Sequence, residues 1–136
     1  MYSLRQTDDV DLVRELHALA FPGDEWVGDD HQFWIARDAL GKPAGFCSAI
    51  YRPEQGYVFL SRAAVVAEAR GAGLQRRMIR VRVSWAQRLG AKSVITYTLL
   101  KNYESFVNLL KSGFRFYTPT EPWVGTAVHY MRLELT

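Results

Sequence analysis

The chain has 136 residues, 49% hydrophobic and 23% charged, which is enough apolar material for one ordinary globular core. Its net charge of +3 falls short of a dedicated nucleic-acid binder but suits an anionic ligand. A single cysteine excludes an internal disulfide framework, no apolar run reaches the length of a membrane span, and Asp8, Asp9 and Asp11 stand in place of a signal-peptide pattern, so one soluble, cytoplasmic domain over residues 1–136 is expected.

Residues 2–6 alternate and predict a first strand, after which Thr7-Asp8-Asp9 offers an N-cap and an acidic first turn. The helix that follows is expected to bury Leu12, Val13, Leu16, Leu19 and Ala20 and to stop before Pro22-Gly23, with His17 as a packing or surface residue beside the stripe. Residues 21–31 carry Asp24, Glu25, Asp29 and Asp30 and read as an irregular acidic connector. Residues 32–37 and 44–51 flank a Gly41-Lys42-Pro43 turn and read as a hairpin, with Cys47 as a small buried hydrophobe. A turn at 52–56 returns the chain into a strand over 57–66, completing three successive antiparallel strands.

That strand breaks at 67–69 and passes through Arg70-Gly71-Ala72-Gly73 into a helix predicted over about residues 71–89, with Gly90 as its cap. A strand feeding a glycine turn and then a helix N-terminus is suited to anions. The first helical N–H groups lack intrahelical partners, the dipole is positive there, and glycine admits close approach. Leu74, Met78, Val81, Trp85 and Leu89 make an apolar stripe, and Arg76, Arg77, Arg80, Arg82 and Arg88 fill much of the rest. Arginines in a first turn oppose the dipole by about 0.3–1 kcal/mol each, which makes sense if a polyanion docks there; a solvated basic face is the plainer alternative. Leu74-Gln75 after Gly73 excludes a standard P-loop, and Arg76 occupies the third glycine position of a dinucleotide fingerprint. Downstream, residues 93–99 predict a strand parallel to 57–66 through the helical crossover. Residues 102–112 predict a helix capped by Gly113, and residues 115–117 and 126–135 close the sheet around a Pro-punctuated loop.

Arg70, Gly71, Ala72, Gly73, Leu74 and Gln75 resemble the acyl-CoA-binding motif of the GCN5-related N-acetyltransferase (GNAT) superfamily, Arg/Gln-x-x-Gly-x-Gly/Ala after an apolar strand, with Gln75 at the last position. Asn102, Ser105, Lys111, Gly113 and Phe114 are similar to the family's second block, in the right order and at the right separation. The resemblance implies an α/β (α+β) fold: a central mixed, mostly antiparallel sheet with a splayed parallel pair of strands and flanking helices. It also implies acetyl-CoA as co-substrate, without a metal. Val65 and Val66 would contact the pantetheine arm, and the N–H groups of Arg70, Gly71, Ala72, Gly73, Leu74, Gln75 and Arg76 the pyrophosphate. Asn102 would anchor the arm, and Lys111 would reach toward the nucleotide end.

The implied reaction is N-acetyl transfer to an amine by direct attack in a ternary complex. Many members carry a Tyr seven residues after the Asn as acid to the leaving thiolate; Leu109 stands there. Ser61, Arg62 and Ala63 occupy the strand region where some relatives hold a Glu base. Glu25, Asp30, His31 and His129 are the remaining base candidates. Tyr103 adjoins Asn102 but is turned roughly 100° from its face. The acceptor is an amine on a small molecule or a protein, membranes and nucleic acid are not expected as partners, and homodimerisation stays open. Two alternatives are a degenerate domain that binds acyl-CoA or a partner without catalysis and, more distantly, a basic nucleic-acid module built on the Arg-rich helix.

Overall fold

The computed structural model describes residues 1–135. Its elements are β1 (Ser3–Thr7), α1 (Val10–Ala20), β2 (Gln32–Arg37), β3 (Pro43–Arg52), β4 (Tyr57–Val65), a 3-10 turn (Ala67–Ala69), α2 (Leu74–Leu89), β5 (Ser93–Leu99), α3 (Tyr103–Lys111), β6 (Arg115–Phe116) and β7 (Val128–Glu134). The seven strands form one sheet in the order β1-β2-β3-β4-β5-β7-β6, antiparallel except for the β4–β5 pair. This is the mixed α/β arrangement expected. Among the described residues no helix is long and apolar enough to cross a membrane.

The chain divides into two compact units. The first comprises Met1–Ile50 and Ser61–Met78. Here Asp9 caps α1 by accepting from the Leu12 N–H at 3.2 Å, and the helix ends where the Phe21 N–H bonds the His17 carbonyl, just before Pro22. The core gathers Val13, Phe33, Ile35 and Phe46, with Val10, Leu12, Leu16, Phe21, Trp26, Val27 and Ala64 packed against them. Val13 and His17 are the buried residues of α1, whereas Leu19 is 82% exposed and Ala20 is exposed too, so the expected stripe is corrected. The reason is angular: Leu19 lies two residues beyond His17, about 200° around the helix. At the β2–β3 turn Asp38 accepts from the N–H groups of Leu40 and Lys42, both at 2.9 Å, and Gly41 adopts φ +83°. Cys47 is fully buried. Gly45 lets the next strand come close, because a Cβ there would strike the Ala64 carbonyl oxygen and stand 3.2 Å from Val65 Cα.

The second unit comprises Tyr51–Leu60 and the chain from Ile79 on. The parallel ladder pairs Tyr57 with Ser93, Val58 with Val94 and Phe59 with Ile95. At the next residue the Leu60 carbonyl accepts the Thr96 hydroxyl at 2.8 Å, a side chain in the place of a ladder N–H. β5 pairs with β7 from Ser93↔Glu134 to Leu99↔Val128, and β6 adds a short edge. Tyr130 pins the preceding loop: its hydroxyl donates to the Gly125 carbonyl at 2.6 Å and accepts from the Val124 N–H at 3.0 Å.

Helix α2 buries Leu74 and Met78 as expected and leaves Val81 and Trp85 half-buried, but the rest of its buried arc differs from the expected stripe. Leu74, Met78, Ile79, Arg82 and Ala86 are buried, Arg82 to 4% exposure, while Leu89 is 39% exposed. Counted from Leu74 at about 100° per residue, the buried residues span an arc of about 140° reaching through Arg82 and Ala86 to Ile79, whereas Val81, Trp85 and Leu89 lie at about −20°, 20° and 60°, so the buried face is rotated by some tens of degrees from the expected stripe.

Candidate acyl-CoA site

The candidate cofactor residues between Val65 and Arg76 all lie in the first unit. The Val66 N–H donates to the Ala44 carbonyl at 2.9 Å, which holds the end of β4 against β3. The 3-10 turn then places Arg70 at the mouth of the glycine turn. Gly71 and Gly73 both take positive φ, +82° and +78°, and no heavy atom lies within 4 Å of where a Cβ would stand on either. Non-glycine residues disfavour this backbone, so the turn depends on these two positions. The first helical bond runs from the Arg77 N–H to the Gly73 carbonyl at 3.2 Å. Among the described residues, the N–H groups from Gly71 to Arg76 donate to no protein acceptor. A run of unpartnered donors on an open turn at a helix start, with no acidic residue in the first turn of α2, fits a pyrophosphate. Gln75, half-buried, occupies the last motif position without disturbing the helix start.

The arginines of α2 separate in role. Arg77 donates to the Tyr2 carbonyl at 2.9 Å and so ties the helix to the start of β1. Arg88 donates to Ser84 one turn back, and Arg82 is buried. Arg76 and Arg80 remain on the exposed face. A continuous basic face is therefore not what the helix presents.

Asn102 and Lys111 lie in the second unit, at opposite ends of α3. Asn102 is the N-cap, its side-chain oxygen accepting from the Ser105 N–H at 3.3 Å, and its amide NH2 stays available. Lys111 is exposed in the last turn. Leu109 is buried to 4% and packs as a core residue. Tyr103 is exposed and touches Phe106, while His129 sits between Phe106 and Phe116 with ring centroids 5.1 Å from each.

The other candidates belong to the first unit. Glu25 is exposed; Asp30 and His31 meet at 3.1 Å, carboxylate to Nδ1, with the imidazole stacked near Phe33. Asp29 accepts from the Trp26 indole at 2.7 Å and pairs with Arg14 at 3.6 Å. The acidic connector is thus largely engaged with donors of its own chain.

A cluster that the sequence left scattered forms beside this connector. His17 is 3% exposed among Phe21, Trp26 and Phe46, and its Nε2 has no hydrogen-bond partner. Burial holds the imidazole below its ordinary pKa, the Arg62 charge adds to this and Asp24 opposes it. Arg62 lies over the Phe21 ring, 4.7 Å from its centroid, and pairs with Asp24 at 3.5 Å. Its own N–H donates to the hydroxyl of fully buried Ser48 at 3.0 Å, and Ser48 is 2.6 Å from Ser61. The available signal was an arginine inside an otherwise apolar strand.

Comparison with solved structures finds this fold in an IAA acetyltransferase from Bacillus cereus, at 15% identity over 99% of this chain and 100% of that one with TM-score 0.82. It recurs in a Bacillus subtilis acetyltransferase in complex with CoA (19% identity, 98% and 100%, TM-score 0.76). The ribosomal-protein-S18-alanine N-acetyltransferase from Escherichia coli shares it too (16% identity, 98% and 94%, TM-score 0.77). At these identities the likeness is one of fold. A comparison with proteins of curated function found no match. The sequence profile of the Acetyltransferase (GNAT) family matches residues 1–114, a span that includes the glycine turn and the second block, and the chain belongs to that family.

Proposed function

We propose that the protein transfers the acetyl group of acetyl-CoA to an amine, in a ternary complex, with residues 1–136 serving as one acyl-CoA-binding domain. The observation that carries this reading is the open turn from Gly71 to Arg76, whose N–H groups have no protein acceptor. These donors would hold the pyrophosphate, joined by Arg70 and Arg76, while Val65 and Val66 line the pantetheine arm. The amide of Asn102 would anchor that arm and Lys111 would reach the nucleotide end. The Val66 N–H is engaged by Ala44, and strand alternation turns the Val65 N–H to the opposite edge, which leaves it as donor to the developing oxyanion.

In the reaction a neutral amine attacks the thioester carbonyl, a C–N bond forms, the C–S bond breaks, and the amine proton passes to a base or water. The leaving thiol has a pKa of about 8.5 and departs without a strong acid, which accommodates Leu109 at the usual Tyr position. Of the base candidates Glu25, Asp30, His31 and His129, the Asp30–His31 contact is the one that orients an imidazole by a carboxylate. Tyr103, exposed at the start of α3, is the remaining acid candidate.

Thermal unfolding with acetyl-CoA, and with NAD and ATP as anionic controls, tests the site. Ligand at about 100 times its Kd stabilises by about 2.7 kcal/mol, roughly 9 °C for a chain of this size. A shift with acetyl-CoA alone, followed by thiol release on adding an amine, is the expected result. Equal shifts with all three ligands, or none, would refute it. Buried Leu109 favours a second reading, a degenerate acyl-CoA binder, which predicts the same shift with no thiol release from any amine. The engagement of Arg77, Arg82 and Arg88 within the fold disfavours the nucleic-acid reading.

A further inference from the structure

Resting on the acetyltransferase reading, we infer that Arg62 anchors an anionic group of the acceptor, so that the acceptor is a small amine bearing a carboxylate, in the manner of an amino acid, rather than a polycation.

The guanidinium has five donors in a planar fork. Its side chain is 29% exposed, so it is partly withdrawn from water. Among the described residues its partners are one oxygen of Asp24 at 3.5 Å and the face of Phe21. A committed arginine–carboxylate pair is bidentate and closes to about 2.7–2.9 Å. The Asp24 contact is longer, single and made by a half-exposed loop residue, which an incoming carboxylate can displace.

The strand beneath is held firmly. The Arg62 N–H bonds buried Ser48, which also contacts Ser61, so the base of the side chain has little freedom. Such support is what a recognition residue needs and a solvated surface charge does not. Phe21, over which the guanidinium lies, packs with Trp26 and Phe46 around the buried His17 imidazole, whose pKa burial lowers, and this aromatic wall strengthens the Arg62 field.

Position supports the same assignment. Arg62 precedes Val65 by three residues on β4, about 10 Å at strand rise. An arginine side chain and a small amino acid together span that length. The acidic connector offers the opposite attraction, toward cations, but Asp29 and Asp30 are already paired within the chain, which leaves Glu25 and, once displaced, Asp24 of its four carboxylates.

The test uses the full chain with acetyl-CoA and reads thiol release from the common L-amino acids, from their C-terminal amides, and from spermidine. The acids are expected to be acetylated with kcat/KM at least tenfold above their amides. Arg62→Gln is expected to raise KM for the acids at least tenfold, to leave the amides unchanged and to leave the acetyl-CoA thermal shift intact. Arg62→Lys, which keeps the charge without the fork, should fall between, and it decides the matter if the Gln variant does not fold. Preference for amides or spermidine, equal losses on acids and amides, or no acid turned over by a protein that still binds acetyl-CoA would each overturn the anchor. Loss of the acetyl-CoA shift in the parent protein would instead overturn the acetyltransferase reading.

Discussion

Replacing Gly73 with aspartate separates the turn's role in the fold from its role in binding. Gly73 has φ +78° and nothing within 4 Å of a would-be Cβ, so the free protein admits the side chain without a clash. What remains is the left-handed backbone, about 1–2 kcal/mol for an L-residue. For 136 residues the unfolding entropy is about 0.3 kcal/mol/K, and the melting temperature should fall by roughly 3–7 °C. The ligand effect is larger. The parent gains about 2.7 kcal/mol, roughly 9 °C, at 100 times its Kd. A carboxylate at this point sets negative charge against the pyrophosphate and blocks approach to the N–H groups of the turn. If affinity falls a hundredfold, the gain at the same concentration shrinks to about 0.4 kcal/mol, roughly 1–2 °C. Thermal unfolding with and without acetyl-CoA measures both quantities, with Gly73→Ala as the control that carries the backbone strain without the charge. The two variants should lose similar stability as free proteins, and the aspartate variant should lose most of its ligand shift. An aspartate variant that keeps the parent's shift would show that the phosphates sit elsewhere.

Gly45→Ala should destabilise by about 1–3 kcal/mol through overpacking, since its Cβ would meet the Ala64 carbonyl and lie 3.1 Å from Met78 Cε; an unchanged urea midpoint would contradict the close approach of β3 and β4. His17 titrates below its ordinary value, chiefly through burial, so the unfolded chain binds its proton more readily than the fold. This contribution to stability is present above about pH 6.5 and is lost as pH falls through the lower folded value. His17→Phe should flatten that part of the pH–stability curve, and identical acid slopes for parent and variant would refute the assignment.

Local chemistry was legible in the chain because short-range geometry decides it. Asp9 and Asn102 cap their helices where their side chains reach the first-turn N–H groups, and Gly90 and Gly113 follow helix ends with positive φ. The Arg70–Gly73 turn likewise needed only its own residues: two glycines fix the path, and the helix start provides the donors. The three successive antiparallel strands and the parallel pair followed from element order, since a helical crossover between strands leaves few alternatives.

Tertiary packing decided the rest. Helical spacing shows that α1 and α2 each have an apolar face but leaves the edge of that face undetermined by tens of degrees, and so Leu19 is exposed and Arg82 is buried. Which residues fill the buried arc depends on partners remote in sequence. Arg62 is the sharpest case, because its neighbours come from the connector after α1 and from β3. In the sequence it is an arginine in an apolar strand. Only the fold sets it over Phe21, gives it a single loose carboxylate, and makes a recognition residue of it, because desolvation and charge pairing are properties of what surrounds a side chain and not of the side chain itself.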